Sequence, residues 1–264
     1  MVSSVFVIAS GKGGTGKTTL SVNIATALAG LGEKTLLIDA DLGMPNVGMF
    51  MKLDEITVNF YDVLKGTAKI QDAIYEGPAG LKVLPCSLSL DSYQNSNIER
   101  LKSSIEPILD DYDHIIIDTP PGLNKNALVP FQISDKIVLV VNDDITSIVD
   151  TLKSAKVAKS YGKHIEGVIV NRINGNLESG LKAKIQKTLG TNILSEIPND
   201  PMIAKALSLQ TPVVSKYPQS EAAFTLKRTA AMLVGIDVPE YSLQPAEPVV
   251  ERLGFFSRVK AMFV

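Results

Sequence analysis

Eight consecutive residues carry the first chemical signal. Gly11-Lys12-Gly13-Gly14-Thr15-Gly16-Lys17-Thr18 fits the spacing G-x-x-x-x-G-K-[ST] in full. Glycines in such a run let the backbone curl until successive amides face one anion. The run lies between an apolar segment, Val5–Ala9, and a stretch of helical character from Thr18 to Ala29. A helix opening there adds its partial positive charge, so the segment is suited to a polyphosphate. Lys17 is placed to reach the β- and γ-phosphates, the Thr18 hydroxyl to ligate Mg²⁺, and Thr19 to bond the α-phosphate. Lys12 is an extra lysine that this motif does not require, and by itself it reads as a solvated side chain.

Carboxylates follow at strand ends. Leu36-Leu37-Ile38-Asp39-Ala40-Asp41 places two acids after one apolar run. Ile115-Ile116-Ile117-Asp118-Thr119-Pro120-Pro121-Gly122 places another after a second. An apolar strand that ends in Asp is the arrangement that holds Mg²⁺ or its water shell beside a nucleotide. Val168-Ile169-Val170-Asn171-Arg172 ends a third such run. Asn171 carries an amide that both donates and accepts, although a turn residue at a strand end has the same appearance.

These groups must be brought together by the elements that bear them. Val5–Ala9, Thr35–Ile38, Leu81–Leu84, His114–Ile117, Lys136–Val141, Ile165–Val170 and Ile193–Ile197 read as strands. Several are apolar throughout rather than alternating, as expected of strands covered on both faces. Helical spacing at Thr18–Ala29, Ile98–Leu109, Ser147–Ser160, Leu177–Leu189 and Glu221–Leu233 supplies the crossovers. The resulting βαβα order predicts an α/β fold with a doubly wound, mainly parallel sheet and helices on both faces. In such a sheet ligands sit outside the carboxyl ends of the strands, where the loop and the acids all fall.

The chain has 264 residues, with 26 Lys+Arg against 28 Asp+Glu, and a formal net charge of -2. That balance argues against a dedicated nucleic-acid binder, which normally has a basic surplus. The single cysteine, Cys86, excludes a disulfide framework and an all-cysteine metal centre within one subunit. It is read as a small buried hydrophobe. No run reaches the ~18 apolar residues needed to span a bilayer, so a cytoplasmic protein is expected. Three units are expected: a nucleotide-binding domain over 1–236, a linker over 237–248 carrying Pro239, Pro245 and Pro248, and a tail over 249–264. At helical spacing Leu253, Phe256, Val259 and Phe263 share a face, widened by Phe255, while Arg252, Arg258 and Lys260 add positive charge. This predicts an amphipathic helix that lies on an anionic membrane surface, with docking on the protein's own core or on a partner as the alternative.

The run Lys12-Gly13-Gly14-Thr15-Gly16-Lys17-Thr18-Thr19, with the acids in their order, resembles the ParA/MinD family of ATPases, whose phosphate loop carries an additional lysine. The resemblance covers about Val2 to Gly235 and extends to the tail, where the MinD branch has a tethered segment of this kind. It implies ATP and Mg²⁺ as ligands and slow hydrolysis in an ATP-sandwich homodimer. In that dimer Lys12 reaches the partner's nucleotide, Asp41 orients the attacking water near the metal, and Asp118 helps to hold Mg²⁺. The Gly122 amide senses the γ-phosphate and Asn46 lies close to the interface. Asn171, with Arg172 and the loop at Pro198, takes the adenine. It further implies a peripheral position on the inner face of the cell membrane and an unidentified stimulator or cargo protein, the output being placement of a division or other surface assembly. Two alternatives remain: a ParA-type partitioner that binds DNA nonspecifically, and a P-loop ATP-dependent ligase. His114 and His164 are given no catalytic role. Met44, Met49 and Met51 are expected to pack around the segment after Asp41, and Lys153, Lys156 and Lys159 to form a solvated face.

Overall fold

Each run expected to be a strand is one in the computed structural model, which describes residues 3–53, 55–87 and 97–237. The strands are β1 (Ser4–Ala9), β2 (Thr35–Asp39), β3 (Tyr75–Glu76), β4 (Lys82–Leu84), β5 (His114–Asp118), β6 (Lys136–Asn142), β7 (His164–Ile173) and β8 (Ile193–Pro198). They form one sheet in the order β3-β4-β2-β5-β1-β6-β7-β8. Every pairing is parallel except β3 with β4.

Strand side chains alternate between two core layers, as the two-residue period requires. Phe6 and Ile8 of β1 pack on one face, with Leu20, Ile24 and Leu28 of α1 (Lys17–Gly30) and Leu226 and Ala230 of α10 (Glu221–Val234). Val5, Val7 and Ala9 pack on the other, with Ile148 and Ala155 of α6 (Ile145–Ser160) and Ile185 and Leu189 of α7 (Ser179–Leu189). Burial on both sides explains why Ile115–Ile117 and Ile137–Val141 carry no polar residue.

The helix expected over Ile98–Leu109 is broken into two 3₁₀ turns, Ile98–Arg100 and Glu106–Asp111, around α4 (Leu101–Ile105). Pro107 is the physical reason for the second break, since it has no N–H and crowds the preceding turn. Further helices form where the sequence gives a weaker signal: α2 (Val47–Phe50), α3 (Phe60–Lys65), α5 (Lys125–Ile133), α8 (Pro201–Ser208) and α9 (Val213–Lys216). The two sheet margins are modest. β3 has two residues, and β8 ends in Pro198 with Glu196 paired to Lys182 at 2.6 Å. No described helix is long and apolar enough to cross a membrane. The expected linker from residue 238 onward and the tail residues Arg252, Leu253, Phe255, Phe256, Arg258, Val259, Lys260 and Phe263 lie outside the described residues.

Candidate nucleotide site

The loop after β1 is held from two sides. Gly14 and Gly16 take φ of +77° and +94°, the left-handed region that glycine enters without strain. The Gly11 N–H donates to Thr151 Oγ1 of α6 at 3.1 Å. A Cβ at Gly11 would lie 2.0 Å from the Asp150 carbonyl carbon, so only glycine permits this contact. On the opposite side Asn171 Nδ2 donates to the Thr15 carbonyl at 2.8 Å. Lys17 opens α1 and is buried, and its Nζ donates to Ser10 Oγ at 2.9 Å. Burial lowers its pKa, opposed by the nearby Asp118 and Asp41 carboxylates.

Asp118 stands at the end of the central β5 and is fully enclosed. Its Oδ2 accepts from Thr18 Oγ1 at 2.6 Å and its Oδ1 from Ser21 Oγ at 2.9 Å. Burial pushes its carboxyl up to about 6, although the two hydroxyls and Lys17 favour the charged form. Asp39 is its register partner on β2. The Asp39 carboxylate accepts from three backbone amides, those of Asp41, Asn46 and Val47, each at 3.1 Å. Burial and the neighbouring Asp118 push its pKa well above the ordinary carboxylate range. Asp39 thus folds back the segment after β2 and sets Asp41 on the rim of the cleft. Asp41 Oδ1 accepts from the Met44 N–H at 3.0 Å.

Thr18, Asp41 and Asp118 are hard oxygen donors, the set that Mg²⁺ prefers. Asp118 and Asp41 act on the Lys17 ammonium, and each also raises the pKa of Asp39, so a divalent cation would relieve the repulsion among the carboxylates. Among the described residues there is no group of three or more His, Cys, Asp or Glu arranged as a metal cage. Mg²⁺ does not need one, because it takes one or two carboxylates together with phosphates and water. The residues present fit the ion.

The cleft has a volume of about 270 Å³ and is lined by Gly13, Gly14, Gly16, Lys17, Thr18, Thr19, Asp41, Asn46 and Arg172. Arg172 has φ +61°, and the β7–β8 register shifts between Val170 and Ile173, so the strand kinks as it meets the cleft. Pro198 closes β8, after which the Asn199 N–H donates to the Ile173 carbonyl at 2.8 Å. That bond brings the loop expected over the base beside the end of β7. The Gly122 N–H donates to the Ser10 carbonyl at 3.3 Å, and Thr119 Oγ1 donates to the Ile8 carbonyl at 2.8 Å. Both tie the segment after β5 to the start of the loop.

Lys12 stands apart from the cleft. Its Nζ donates to Asp144 at 3.1 and 3.2 Å and to Thr146 Oγ1 at 3.1 Å, on the partly exposed rim where α6 begins. Asp144 also caps α6, accepting from the Ser147 N–H at 2.7 Å. The expectation that Met44, Met49 and Met51 pack around the segment after Asp41 is corrected: Met51 is buried, but Met44 and Met49 are 70% and 57% exposed. Met44 lies on the turn organised by Asp39 and lines the cleft, and Met49 lies on an outward face of α2. Ile145 and Val149 on the first turns of α6 are exposed as well. Cys86 is buried as expected, its thiol pushed up to about 12 by desolvation. Lys153, Lys156 and Lys159 are exposed.

Sequence reasoning passed over Ser10, Ser21, Asp144 and Thr151. Only Ser21 had a readable signal, since it lies one helical turn after Lys17 and so shares its face.

Comparison with known proteins agrees with this fold. The profile of a family described as an AAA domain matches residues 3–159. An uncharacterized ATP-binding protein of Methanocaldococcus jannaschii is 40% identical over 98% of this chain and 98% of its own length. The solved septum site-determining protein MinD from Pyrococcus horikoshii, complexed with Mg-ADP, is 31% identical. It covers 88% of this chain and 96% of its own, with a TM-score of 0.82. A MinC:MinD cell division protein complex from Aquifex aeolicus matches at 34% identity, covering 90% and 98%, with a TM-score of 0.79. The loop, the strand-end acids and these similarities together make the chain a member of the ParA/MinD family of P-loop ATPases.

Proposed function

We propose that this protein is an ATP-dependent dimerising switch that binds a membrane surface and hydrolyses ATP to position a cell-division or other surface assembly. The observation that carries the reading is the position of Lys12. It is not among the cleft-lining residues of its own chain but is held at the rim by Asp144 and Thr146. A second copy placed over this rim meets Lys12 together with the exposed apolar Met44, Met49, Ile145 and Val149. The hydrolysing site is then complete only in the dimer.

In this site the loop amides and Lys17 bind the phosphates, and the work is positioning and charge neutralisation. Asp41 orients a water in line with the γ-phosphate, and Lys12 from the partner compensates the charge that builds on the leaving oxygens. Thr18, Asp41 and Asp118 would hold Mg²⁺, which would neutralise phosphate charge. Thr119–Gly122, tied to Ser10, and the turn behind Asp39 are the two segments that follow the presence of the γ-phosphate. Asn171, Arg172 and the Pro198 loop take the adenine. The Mg-ADP ligand of the Pyrococcus protein supports both ligands here. The MinC:MinD complex of Aquifex supports a cargo or stimulator protein as partner.

The test is co-sedimentation with anionic liposomes, in ATP and in ADP, for the full chain and for a chain ending at Ile236. Pelleting in ATP that disappears on truncation is expected, because two weak tails gain through effective concentration in a dimer. No pelleting in either nucleotide sinks the membrane reading and turns attention to DNA.

A further inference from the structure

Asn171 is placed under the phosphate loop rather than at its open side. It is 3% exposed, on a strand whose preceding residues Val168, Ile169 and Val170 are fully buried. Its register partner on β6 is Asn142, so its backbone position is fixed by the sheet. From there Nδ2 donates to the Thr15 carbonyl at 2.8 Å. The approach is close enough that a Cβ on Gly16 would lie 2.3 Å from Nδ2.

We infer that Asn171 is a positioning residue for the phosphate loop, aiming the Gly16 N–H by fixing the Thr15 carbonyl. The inference rests on the reading of this cleft as the ATP site. The argument is one of peptide geometry. The Thr15–Gly16 unit is planar and trans, so its C=O and N–H point to opposite sides. Fixing the carbonyl toward Asn171 turns the Gly16 N–H away from Asn171, and Gly16 lines the cleft. The bond uses only the amide nitrogen of Asn171, and its carbonyl oxygen remains an acceptor for the exocyclic amine of a base. One side chain therefore couples recognition of the base to the shape of the phosphate cradle.

The test uses the full chain, with Asn171→Ala and the isosteric Asn171→Asp, which cannot donate to a carbonyl when ionised. The probes are ATP and inorganic tripolyphosphate, each with Mg²⁺, and tripolyphosphate has no base. Both variants are expected to weaken tripolyphosphate by about fivefold, the worth of one buried hydrogen bond, and ATP by more. Tripolyphosphate affinity unchanged with ATP affinity reduced would mean that Asn171 serves the base alone, and would overturn the inference. Amide hydrogen exchange on the nucleotide-free protein gives a readout that needs no ligand. Faster exchange at Gly16 and Lys17, with Ile24–Leu28 of α1 unchanged, is expected in a folded variant. Unaltered exchange at Gly16 overturns the inference. If wild type binds neither probe, the ATP reading fails, and hydrogen exchange still decides the role of Asn171.

Discussion

Asp118 is ionised at neutral pH against its surroundings. Its folded value of about 6 lies above the ordinary aspartate value of about 3.9, so the folded chain holds that proton more tightly than the unfolded chain. The stability this gives is fully present below about pH 4 and is lost as pH rises through about 6. Mg²⁺ requires the ionised carboxylate. Mg²⁺-dependent enhancement of ATP binding is therefore expected to fade as pH falls below about 6, and calorimetric titration with and without Mg²⁺ across that range checks it. An enhancement constant with pH contradicts the assignment of Asp118. Lys12 makes a second test. Lys12→Ala should retain nucleotide binding but slow hydrolysis by at least about tenfold. Asp144→Asn keeps a side chain able to cap α6 yet removes the negative charge beside Lys12, and turnover at a given protein concentration should rise. Steady-state rates measured against protein concentration decide both. The loop position of Lys17 and Thr18 was legible because a fixed spacing names it, and the strand-end position of Asp118 because an apolar run precedes it. Ser10, Asp144 and Thr151 were not, because a lone hydroxyl or carboxylate gains meaning only from a contact made across the fold. Gly11 to Thr151 spans 140 positions.

At the scale of elements, the phosphate loop is a part of α6 as much as of β1. Gly11 lies against the backbone of that helix, and the residues that hold Lys12 are at the N-terminus of the same helix. Gly11→Ala drives a Cβ into the Asp150 backbone, which cannot yield as a flexible side chain would. A loss of about 2 kcal/mol or more is expected, lowering Tm by at least about 4 °C, together with weakened ATP binding. Thermal unfolding with and without ATP measures both, and an unchanged Tm refutes the close contact. The strands were legible because burial on both faces leaves long apolar runs, and α6, α7 and α10 because each carries a helical pattern; α1, buried along most of its length, was legible as the helix that the phosphate loop opens. α5 was not, since Pro130 in its interior reads as a breaker. It forms nonetheless, with Asn124 capping it by accepting from the Ala127 N–H at 3.0 Å and with Phe131 buried in the core. The break at Pro107 shows the opposite outcome, where the same residue type splits an expected helix.

At the scale of the whole molecule, the exposed Met44 lines the cleft, while the exposed Met49 lies on α2 and the exposed Ile145 and Val149 on the first turns of α6, which follow the carboxyl ends of β2 and β6. Asp41→Ala, which removes the residue proposed to orient water, is expected to accumulate an ATP dimer, while ADP leaves the chain monomeric. Sedimentation velocity in each nucleotide checks this, and a monomer in ATP refutes the sandwich. That the sheet is mainly parallel and that the acids stand at strand ends followed from the sequence, but the strand order and the exposure of the methionines did not, since a thioether reads as core until its neighbours are known. The sheet margins add a last consequence. A parallel sheet invites other chains to extend it sideways, and such growth has no natural stop. Here one margin is two residues long and the other ends in proline beside an ion pair. Both resist zippering into filaments. In the proposed switch, encounters between copies are thereby left to the loop-bearing end, where a closed pair would have a stoichiometry of two and its formation would report what the cleft contains.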